Sequence, residues 1–387
     1  RIRDSRIRAM VDYAYRNVPY YHSTMKERGL SPSDIRMKDD LRKLPTITKS
    51  TILQDPQAFI SRQIPLENCI ELRSSGSCYG TVLAIPYDRN AILTHVGASQ
   101  RWNYLMNRLL KRPLLVRQVY ITVPGHNFQR IAELCSEMRL SRLLREFKFL
   151  SVRDPPQVNA ARMKDFNPHL LSSYGSYLEL LVRHAELTNV RWEFPKVAVF
   201  STDTLKPQIT RMLRENYGCQ VFGLYGAAEA LGIGFECEAH RGYHVCEDYY
   251  PVDLVSENGD SVGEGESGEV VVSNLINRAM VILNYRLGDI AVRGEDMCEC
   301  ERHLPMLSRL DGRTDDVISL PDGRLVGPSL IIAIFDSRSD IGPYQLVQEG
   351  LDRFELSLVP LRGNVEQIEV ELTRDLQSLL GEEALIR

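Results

Sequence analysis

The sequence predicts an α/β fold, with a large N-terminal domain of mixed sheets and helices and a small α+β C-terminal domain. Three observations support this prediction. Between residues 90 and 224, segments with helical spacing alternate with short apolar segments typical of buried strands. From residue 242 onwards, alternating β-like segments are separated by glycine-rich turns. The length of 387 residues is sufficient for two domains of this kind.

The predicted elements follow one another in a regular order. A first helix carries Met10, Tyr13, Ala14 and Val18 at helical spacing and ends before Pro19. The apolar segments that follow divide by length and spacing into helices and short strands. We predict helices over residues 90–110, 170–187 and 206–217, and strands over residues 114–123, 197–201 and 220–224.

The β-rich part of the chain begins with the alternating segment 243–255 and continues with the valine-rich segment 269–273. A polar break at residues 312–316 separates it from the last 75 residues, which end in a predicted helix over residues 365–380. We therefore expect two domains, formed by residues 1–312 and by residues 313–387.

The composition excludes several classes of protein. With 43% hydrophobic and 25% charged residues, the chain has the composition of a folded protein rather than a disordered one. No apolar run approaches the roughly 18 residues that cross a bilayer, so we expect no membrane partner. A net charge of -4 gives no general attraction for nucleic acid. Because no secretory signal opens the chain, we expect reduced cysteines and a cytoplasmic protein. No pattern indicates an oligomeric state.

A hydroxyl- and glycine-rich stretch lies between two β-like runs, at Ser74, Ser75, Gly76 and Ser77. Its hydroxyl and backbone N–H groups could surround a phosphate oxygen. It lacks the Gly-Lys-Ser/Thr ending of a P-loop, which disfavours ordinary kinase or ATPase chemistry. Taken alone, the stretch is weak evidence for such a site, because stretches of this kind are more often ordinary surface turns.

Two further turns carry a carboxylate. Tyr225-Gly226 and Glu229 follow a predicted strand, at the sheet edge where α/β proteins bind ligands. A carboxylate there could hold a magnesium ion that bridges phosphates. The segment from Tyr285 to Asp289 offers a carboxylate that could accept hydrogen bonds from two ribose hydroxyls. Either segment alone is also compatible with a glycine turn and a solvated carboxylate.

Cysteine and histidine residues form a denser group of candidates. Their sulfur and nitrogen donors suit tetrahedral zinc, which needs four ligands from the six available. A Cys-x-Cys pair can also be two ordinary residues of a strand, and a histidine can simply lie in a loop. The six candidates are Cys237, His240, His244, Cys246, Cys298 and Cys300.

The order of these motifs resembles the adenylate-forming superfamily of acyl-CoA synthetases and adenylation domains. The order is a hydroxyl- and glycine-rich loop, Tyr-Gly-x-x-Glu, Tyr-Arg-x-Gly-Asp and then Gly-Arg-x-Asp-Asp at the domain boundary. Within the superfamily, the chain is most similar to the phenylacetate–coenzyme A ligase branch. The run from Tyr13 to Tyr21, Leu44-Pro45 with Lys49, and the Cys-x-Cys pair carry that likeness.

The resemblance implies roles for individual residues. The serine- and glycine-rich loop would close over the β- and γ-phosphates of ATP, through Ser74, Ser75, Gly76 and Ser77. Tyr225 and Gly226 would line the junction of the adenine and acyl pockets, and Glu229 would act in catalysis by binding magnesium. Asp289 would bind the ribose hydroxyls, and Arg313 would act at the ribose or phosphate. Asp315 would lie at the hinge of a mobile C-terminal domain.

The resemblance also implies a structural zinc ion, which would stabilise the fold. Of the six cysteine and histidine candidates, it selects Cys237, His244, Cys298 and Cys300. His244 is preferred to His240 because it begins a strand-like stretch. Four protein ligands would leave the zinc no open position for catalysis.

The implied reaction has two steps. A carboxylic acid, expected to be aromatic, attacks ATP to give an acyl-adenylate and pyrophosphate, and coenzyme A then takes the acyl group. Two alternatives remain open: transfer to an amine, hydroxyl or carrier-protein thiol, or a degenerate relative that binds nucleotide without turnover. The aromatic residues between Tyr120 and Phe128 and around Phe222 suggest a pocket for a ring, although such residues are more often core.

Two departures from the family pattern stand out. The loop of the family usually reads Ser-Ser-Gly-Thr-Thr-Gly-Lys-Pro, whereas here the second glycine comes one residue late and the lysine is missing. In addition, no lysine follows Lys206, although relatives use a C-terminal lysine for adenylation. Either the C-terminal domain is truncated and that lysine lies beyond Arg387, which the short domain favours, or the protein adenylates poorly.

Overall fold

The computed structural model describes residues 1–74, 82–136, 145–189, 192–295, 297–338 and 340–387. These residues form two compact units. The first comprises residues 1–287 and 293–309, and the second comprises residues 288–292 and 310–387. No helix among the described residues is long and apolar enough to cross a membrane.

The first unit opens with helical segments. Helices α1 (Ile2–Asn17) and α2 (Pro19–Glu27) are separated at Val18, because Pro19 cannot continue α1 but suits the first turn of α2. Helix α3 (Lys49–Gln54) begins at a capping box in which the side chains and backbones of Thr48 and Thr51 bond reciprocally. Short 3₁₀ helices lie at Pro32–Asp34, Lys38–Lys43, Pro56–Phe59 and Leu66–Asn68.

Contacts over long sequence separations attach this N-terminal segment to the rest of the first unit. The Lys38 ammonium lies 2.5 Å from a carboxylate oxygen of Glu247, and Arg3 pairs with the other oxygen. The hydroxyl of the buried Tyr21 accepts the Leu283 backbone N–H at 2.8 Å. The N-terminal helices are therefore fixed by residues more than 200 positions away.

Helices and strands then alternate, as the fold class predicts. An antiparallel pair, β1 (Cys69–Arg73) and β2 (Ala84–Asp88), comes first. The alternating region contains α4 (Arg89–Ala98), α5 (Gln100–Leu110), β3 (Val116–Thr122), α6 (Asn127–Ser136), β4 (Arg145–Ser151), α7 (Pro156–Phe166), β5 (Leu170–Ser173), α8 (Gly175–Thr188), β6 (Val197–Phe200), α9 (Pro207–Tyr217) and β7 (Gln220–Tyr225).

The remaining strands and helices complete both units. They are β8 (Gly234–Glu236), β9 (Tyr243–Val245), β10 (Val252–Val255), β11 (Ser267–Val272), β12 (Tyr285–Arg293), β13 (Met306–Arg313), β14 (Ile318–Ser319), β15 (Leu325–Val326), α10 (Pro328–Asp336), β16 (Ile341–Gly350), β17 (Arg353–Pro360), α11 (Val365–Leu380) and β18 (Leu385–Ile386). The 3₁₀ helix Thr314–Asp316 follows β13.

One large sheet has the strand order β10-β11-β12-β13-β9-β8-β7-β6-β5-β3-β4. Strands β4, β3, β5, β6 and β7 run parallel, so their carboxyl ends lie at one edge. Strand β8 pairs antiparallel to β7 and marks the change of direction. The parallel strands pack against a buried apolar core that includes Val119, Ile121, Leu178 and Leu181.

The second unit has its own core, in which Ile368, Leu372 and Leu376 of α11 pack with Phe335 and Phe354. This helix has the bounds that the sequence predicts. The unit also contains the three-stranded sheet β16-β17-β18, in which β16 and β17 are antiparallel. The described residues thus form a mixed α/β fold.

Two predicted helices differ from the structure. The helix expected over residues 90–110 is divided at Ser99 into α4 and α5. The single helix expected over residues 170–187 is instead the strand Leu170–Ser173 followed by the helix Gly175–Thr188. All four strand residues are buried, and an apolar run this short has no periodicity that separates a strand from a helical turn. Gly175 lies at the junction, because a Cβ there would come within 2.3 Å of the Thr204 carbonyl oxygen.

Candidate functional site

The turn after β7 is tightly built. Tyr225, the last residue of β7, pairs with Gly234 of β8. A Cβ on Gly226 would lie 2.4 Å from the backbone oxygen of Leu231, so only glycine fits. Ala227 and Ala230 exchange backbone hydrogen bonds of 3.0 and 3.1 Å, which close the turn that leads to Glu229. The backbone at the edge of the sheet is therefore set by local contacts.

Glu229 is held inside this turn and is only 5% exposed. The Tyr285 hydroxyl donates to its Oε1 at 2.9 Å, and Asn274 Nδ2 donates to its backbone oxygen at 2.8 Å. Asn274 also donates to the hydroxyl of Tyr87, which itself donates to the backbone oxygen of Ala228. Burial raises the pKa of Tyr87 well above its ordinary value, and the charge of Glu229 adds to the effect. This network positions the Glu229 carboxylate.

Ser74 is the one residue of the predicted phosphate loop that lies within the described residues. Its backbone N–H donates to Leu83 at 2.9 Å, and its Oγ accepts the Leu83 N–H at 2.9 Å. Ser74 thus extends the β1–β2 ladder by one residue. The other three predicted residues, Ser75, Gly76 and Ser77, lie outside the described residues.

Two predicted residues meet in the second unit. Asp289 Oδ1 accepts from Arg313 Nη1 at 3.0 Å, and both side chains are partly buried. Gly288 has a φ of 79°, and a Cβ there would lie 3.0 Å from Arg313 Nη2, so the glycine allows the guanidinium to approach. Asp315 lies in the short 3₁₀ helix that follows. The pair joins residues 24 positions apart in sequence.

A cavity of about 180 Å³ lies in the first unit, which we call the β3 cavity. One face of the parallel sheet forms its floor, and helices α4, α5 and α6 contribute lining residues. The side chains that point in from the sheet include Gln118, Tyr120 and Thr122 of β3, and Leu170 and Ser172 of β5. The cavity reaches the carboxyl edge of the sheet, where its lining includes Ser173, Tyr174, Ser201, Thr202 and Leu224.

Aromatic rings dominate part of the lining. Tyr120 stacks against Phe128 with centroids 5.8 Å apart, and Phe147 and Trp102 also line the space. The sequence-based suggestion of a ring-sized pocket between Tyr120 and Phe128 agrees with this arrangement. Phe222 does not line the cavity: it is fully buried in the core and stacks against His240 at 4.9 Å.

The cavity also contains polar groups that sequence reasoning missed. Arg145 of β4 donates to Gln118 Oε1 at 2.5 Å and to Asn107 Oδ1 at 3.2 Å. His95 of α4 is 4% exposed, and burial lowers its pKa to about 4. These residues belong to separate elements, and β4 was not predicted, so no local pattern in the sequence indicated their convergence.

Four soft donors converge elsewhere in the first unit, in a group that we call the Cys/His cluster: Cys237, His244, Cys298 and Cys300. Their ligand atoms all lie within 4.8 Å of one another. The Cys237 and Cys298 sulfurs are 3.7 Å apart, and Cys300 Sγ is 3.2 Å from His244 Nε2. For zinc, tetrahedral geometry requires separations of about 3.8 Å between sulfurs and about 3.6 Å between sulfur and nitrogen.

Neighbouring strands bring these four residues together. Cys237 follows β8, His244 lies in β9, and both cysteines of the Cys-x-Cys pair precede β13, which pairs with β9 at His244. The other two candidates lie outside the group. Cys246 is buried elsewhere, and burial raises its pKa to about 11, while His240 packs on Phe222.

The surroundings of the Cys/His cluster are asymmetric. Burial raises the pKa of the Cys237 thiol to about 12. Burial also acts on Cys300, but hydrogen bonds from the Arg302 backbone and side chain outweigh it, so the Cys300 pKa falls below its ordinary value. Arg302 also pairs with Glu238 at 2.7 Å. Arg302 therefore favours a thiolate at the more exposed end of the group.

No protein-family model matches the chain. It is 26% identical over 372 residues to the phenylacetate-coenzyme A ligase of Thermus thermophilus, covering 92% of this chain and 80% of that relative. It is 24% identical over 324 residues to the phenylacetate-coenzyme A ligase of Escherichia coli, covering 82% of this chain and 71% of the relative. The chain is similar to the phenylacetate–coenzyme A ligase branch. The resemblance that the motif order indicates is thereby confirmed.

The fold agrees with this similarity. A crystal structure of 2-hydroxyisobutyryl-CoA ligase, in the postadenylation state with 2-HIB-AMP, superposes with a TM-score of 0.81. The superposition covers 99% of this chain and 84% of that one at 18% identity. The described architecture is thus the mixed α/β fold of the adenylate-forming CoA ligases.

Proposed function

We propose that this protein is an ATP-dependent acid–thiol ligase of the adenylate-forming type. A carboxylate oxygen of the acid attacks the α-phosphorus of ATP, and the bond to pyrophosphate breaks, which leaves an acyl-adenylate. The coenzyme A sulfur then attacks the acyl carbon, and AMP departs. The observation that carries the proposal is the match over nearly the whole chain to phenylacetate-coenzyme A ligases, joined to a cavity whose lining extends to Leu224, the residue before Tyr225.

The acid that fits the β3 cavity is small and carries a ring. A cavity of 150 Å³ lined by apolar side chains is known to accept a benzene molecule, and the β3 cavity measures about 180 Å³. Its aromatic lining offers the stacked and edge contacts that rings prefer. The carboxyl group would point to the carboxyl edge of the sheet, where Tyr225 and Gly226 lie.

The nucleotide would be held by the remaining predicted residues. Ser74 and the loop residues Ser75, Gly76 and Ser77 would contact the phosphates through hydroxyl and backbone N–H groups. Asp289 would accept from the ribose hydroxyls and Arg313 would act at the ribose or phosphate. In this assignment the residues from 313 onwards form the mobile domain of the family, with Asp315 at its hinge.

Glu229 would hold magnesium. Oxygen ligands suit this ion, and the hydrogen bonds from Tyr285 and to the Glu229 backbone orient the carboxylate before any ligand arrives. When bound, magnesium neutralises phosphate charge during displacement at phosphorus. The part played by the protein is to position the carboxylate and keep it partly out of water.

The Cys/His cluster would hold one structural zinc ion. Its donor atoms have separations close to those of a tetrahedral site, and three of its four residues are buried. The two sulfurs at 3.7 Å are too far apart for a disulfide, which requires about 2.05 Å. Four protein donors leave no position for substrate, so this zinc would stabilise the fold rather than act on the acid.

The test measures the two half-reactions separately. ATP–pyrophosphate exchange across a panel of ring-bearing and short-chain acids reports acyl-adenylate formation. Because relatives use a C-terminal lysine for adenylation, thioester formation is also measured from a synthetic acyl-adenylate and coenzyme A. We expect ring-bearing acids to support exchange and the adenylate to give a coenzyme A thioester. Failure of both half-reactions with every acid would overturn the proposal, and adenylate transfer to amines but not to coenzyme A would overturn the choice of acceptor.

A further inference from the structure

The floor of the β3 cavity holds one cation whose hydrogen-bonding capacity is only partly used. Arg145 has five N–H donors, of which two reach the neutral amide oxygens of Gln118 and Asn107. Among the described residues, no carboxylate pairs with Arg145, and its other three N–H groups donate no hydrogen bond. Burial lowers the pKa of Arg145, yet an arginine remains charged at neutral pH.

The described residues in the rest of the cavity lining supply no balancing charge. No aspartate or glutamate occurs among the described residues that line it. Its two histidines are His95 and His126, and burial lowers the pKa of each, so both are neutral at pH 7. A partly buried guanidinium without a counter-charge is unfavourable unless a ligand supplies one.

Neighbouring polar side chains extend this floor. Gln118 Nε2 donates to Ser172 Oγ at 2.8 Å, and the Tyr120 hydroxyl lies against both residues. These contacts fix the Gln118 amide so that its oxygen faces Arg145. The guanidinium is therefore held in place before a ligand binds, which reduces the entropy lost on binding.

The floor lies at a defined distance from the carboxyl edge. Gln118 and Thr122 both line the cavity from β3, four residues or about 13 Å apart along the strand. Allowing about 3 Å for a hydrogen-bonded contact at each end leaves roughly 7 Å between the two polar ends of a ligand. One benzene ring with carboxyl groups in para positions separates its carboxylates by a comparable distance.

We propose that the acid substrate carries a second anionic group at its far end, and that Arg145 binds this group at the floor of the β3 cavity. A carboxylate suits the site, because a guanidinium can bind it through two parallel hydrogen bonds. The proposal rests on the proposed function, since it takes the β3 cavity as the acyl pocket. It assigns the substrate to the small aromatic dicarboxylic acids rather than to neutral aryl acids.

Calorimetry with two matched acids tests the assignment without requiring turnover. Terephthalate and 4-methylbenzoate share the benzoate ring and a para carbon substituent, but only terephthalate carries a charge at the para position. We expect the wild-type protein to bind terephthalate about 10- to 100-fold more tightly, since hydrogen bonds to charged groups contribute effects of this size. In Arg145→Met this preference should disappear, while Arg145→Lys should keep part of it.

Lys148→Met provides the control, because Lys148 lies on the same strand but points to the opposite face, where its ammonium stands over the Phe166 ring. This variant removes one cation from β4 and should keep the terephthalate preference. If Arg145→Met weakened the binding of both acids by the same factor, the inference would be overturned, because Arg145 would then only support the fold. Tighter binding of 4-methylbenzoate by the wild type would overturn it as well.

Exchange measured with the same two acids separates this inference from the proposed function. If 4-methylbenzoate binds more tightly and supports exchange, the function stands and the inference fails. If terephthalate binds through Arg145 but no acid supports either half-reaction, the inference about the site stands and the proposed ligase activity fails.

Discussion

The Cys/His cluster and the β3 cavity both involve strands of the one large sheet. Their polar groups differ in spacing: they lie close together in the cluster and surround open space in the cavity. In the Cys/His cluster four donor atoms lie within 4.8 Å of one another. In the β3 cavity, side chains from helices and strands surround about 180 Å³ of space, and the Arg145 guanidinium has no counter-charge among the lining residues that the structure describes. The Cys/His cluster is therefore suited to stabilising the fold, and the β3 cavity is suited to selecting among ligands. Substitutions in the two regions should therefore change different measurements.

The largest effect is expected at the Cys/His cluster. Cys298→Ser would remove a buried sulfur donor of the proposed zinc site, so about one zinc per chain should be lost, and the free energy of unfolding should fall by about 3 to 5 kcal/mol. Metal analysis and denaturant unfolding measure both effects.

Glu299→Gln is the matched control, because Glu299 lies between the two cysteines but is exposed and pairs with Arg241 only at the surface. We expect it to keep both metal and stability. A Cys298→Ser protein that is fully stable, or a wild-type protein purified without metal and yet stable, would contradict a structural role for the cluster.

The second effect tests whether the proposed magnesium ligand Glu229, which lies outside both the Cys/His cluster and the β3 cavity, acts in adenylate formation. Glu229→Gln keeps an oxygen that can accept from Tyr285 but removes the charge that would hold magnesium, so exchange should fall by about 100- to 1000-fold. Tyr285→Phe keeps the Glu229 carboxylate, so its ATP–pyrophosphate exchange should fall much less. The assignment would be abandoned if Glu229→Gln retained wild-type exchange with an unchanged magnesium dependence.

The third effect is a pH dependence that originates in the wall of the β3 cavity. The folded protein keeps His95 neutral down to about pH 4, whereas the unfolded chain protonates it below about pH 6.5. Lowering the pH through this window therefore favours unfolding. Between pH 7 and pH 5, His95 should account for a loss of about 2 kcal/mol in the free energy of unfolding.

Urea unfolding of His95→Phe at both pH values measures this contribution, because the variant should lose less stability on acidification than the wild type. His303→Asn, at an exposed position, should leave the wild-type pH dependence unchanged. An identical slope in His95→Phe and the wild type would show that another group carries the effect.

The smallest effect is expected on acid binding when the free volume of the β3 cavity is reduced. Ala132 lines the β3 cavity from α6, and Ala132→Leu should fill part of the free volume with little change in stability. Binding of ring-bearing acids should weaken by about tenfold, because the leucine side chain would occupy space that the ring needs. Ala161→Leu, at an exposed position of α7, makes the same substitution outside the cavity and should bind acids normally. Unchanged binding in Ala132→Leu would move the acid site elsewhere.

The resemblance to the adenylate-forming ligases could be predicted from the sequence, because four motifs in the right order are specific even where each motif alone is weak. The turn containing Glu229 and the final helix could likewise be predicted, since both depend on local patterns. The floor of the β3 cavity could not, because Asn107, Gln118 and Arg145 belong to three elements that meet only in the folded chain. Strand β4 (Arg145–Ser151) mixes charged and aromatic residues and lacks a clear apolar alternation.

The predicted helix over residues 170–187 shows a second limit. Its first four residues form the strand β5 because they fill a gap between β3 and β6, and neighbouring strands rather than local spacing decide this. The Cys/His cluster shows the converse: its residues could be chosen with the help of the family resemblance, but their convergence depends on the pairing of β8, β9 and β13.

The attachment of the N-terminal helices has a consequence for synthesis of the chain. Tyr21 and Lys38 are held by partners at Leu283 and Glu247, so the first helices leave the ribosome long before their partners exist. At about 5 to 20 residues per second, translation from residue 21 to residue 283 takes roughly 13 to 52 s. During this time the apolar side chains of α1 and α2 are not yet buried by the later residues that contact them in the folded protein. We expect nascent chains released before residue 283 to aggregate or bind chaperones, and longer chains to become protease-resistant.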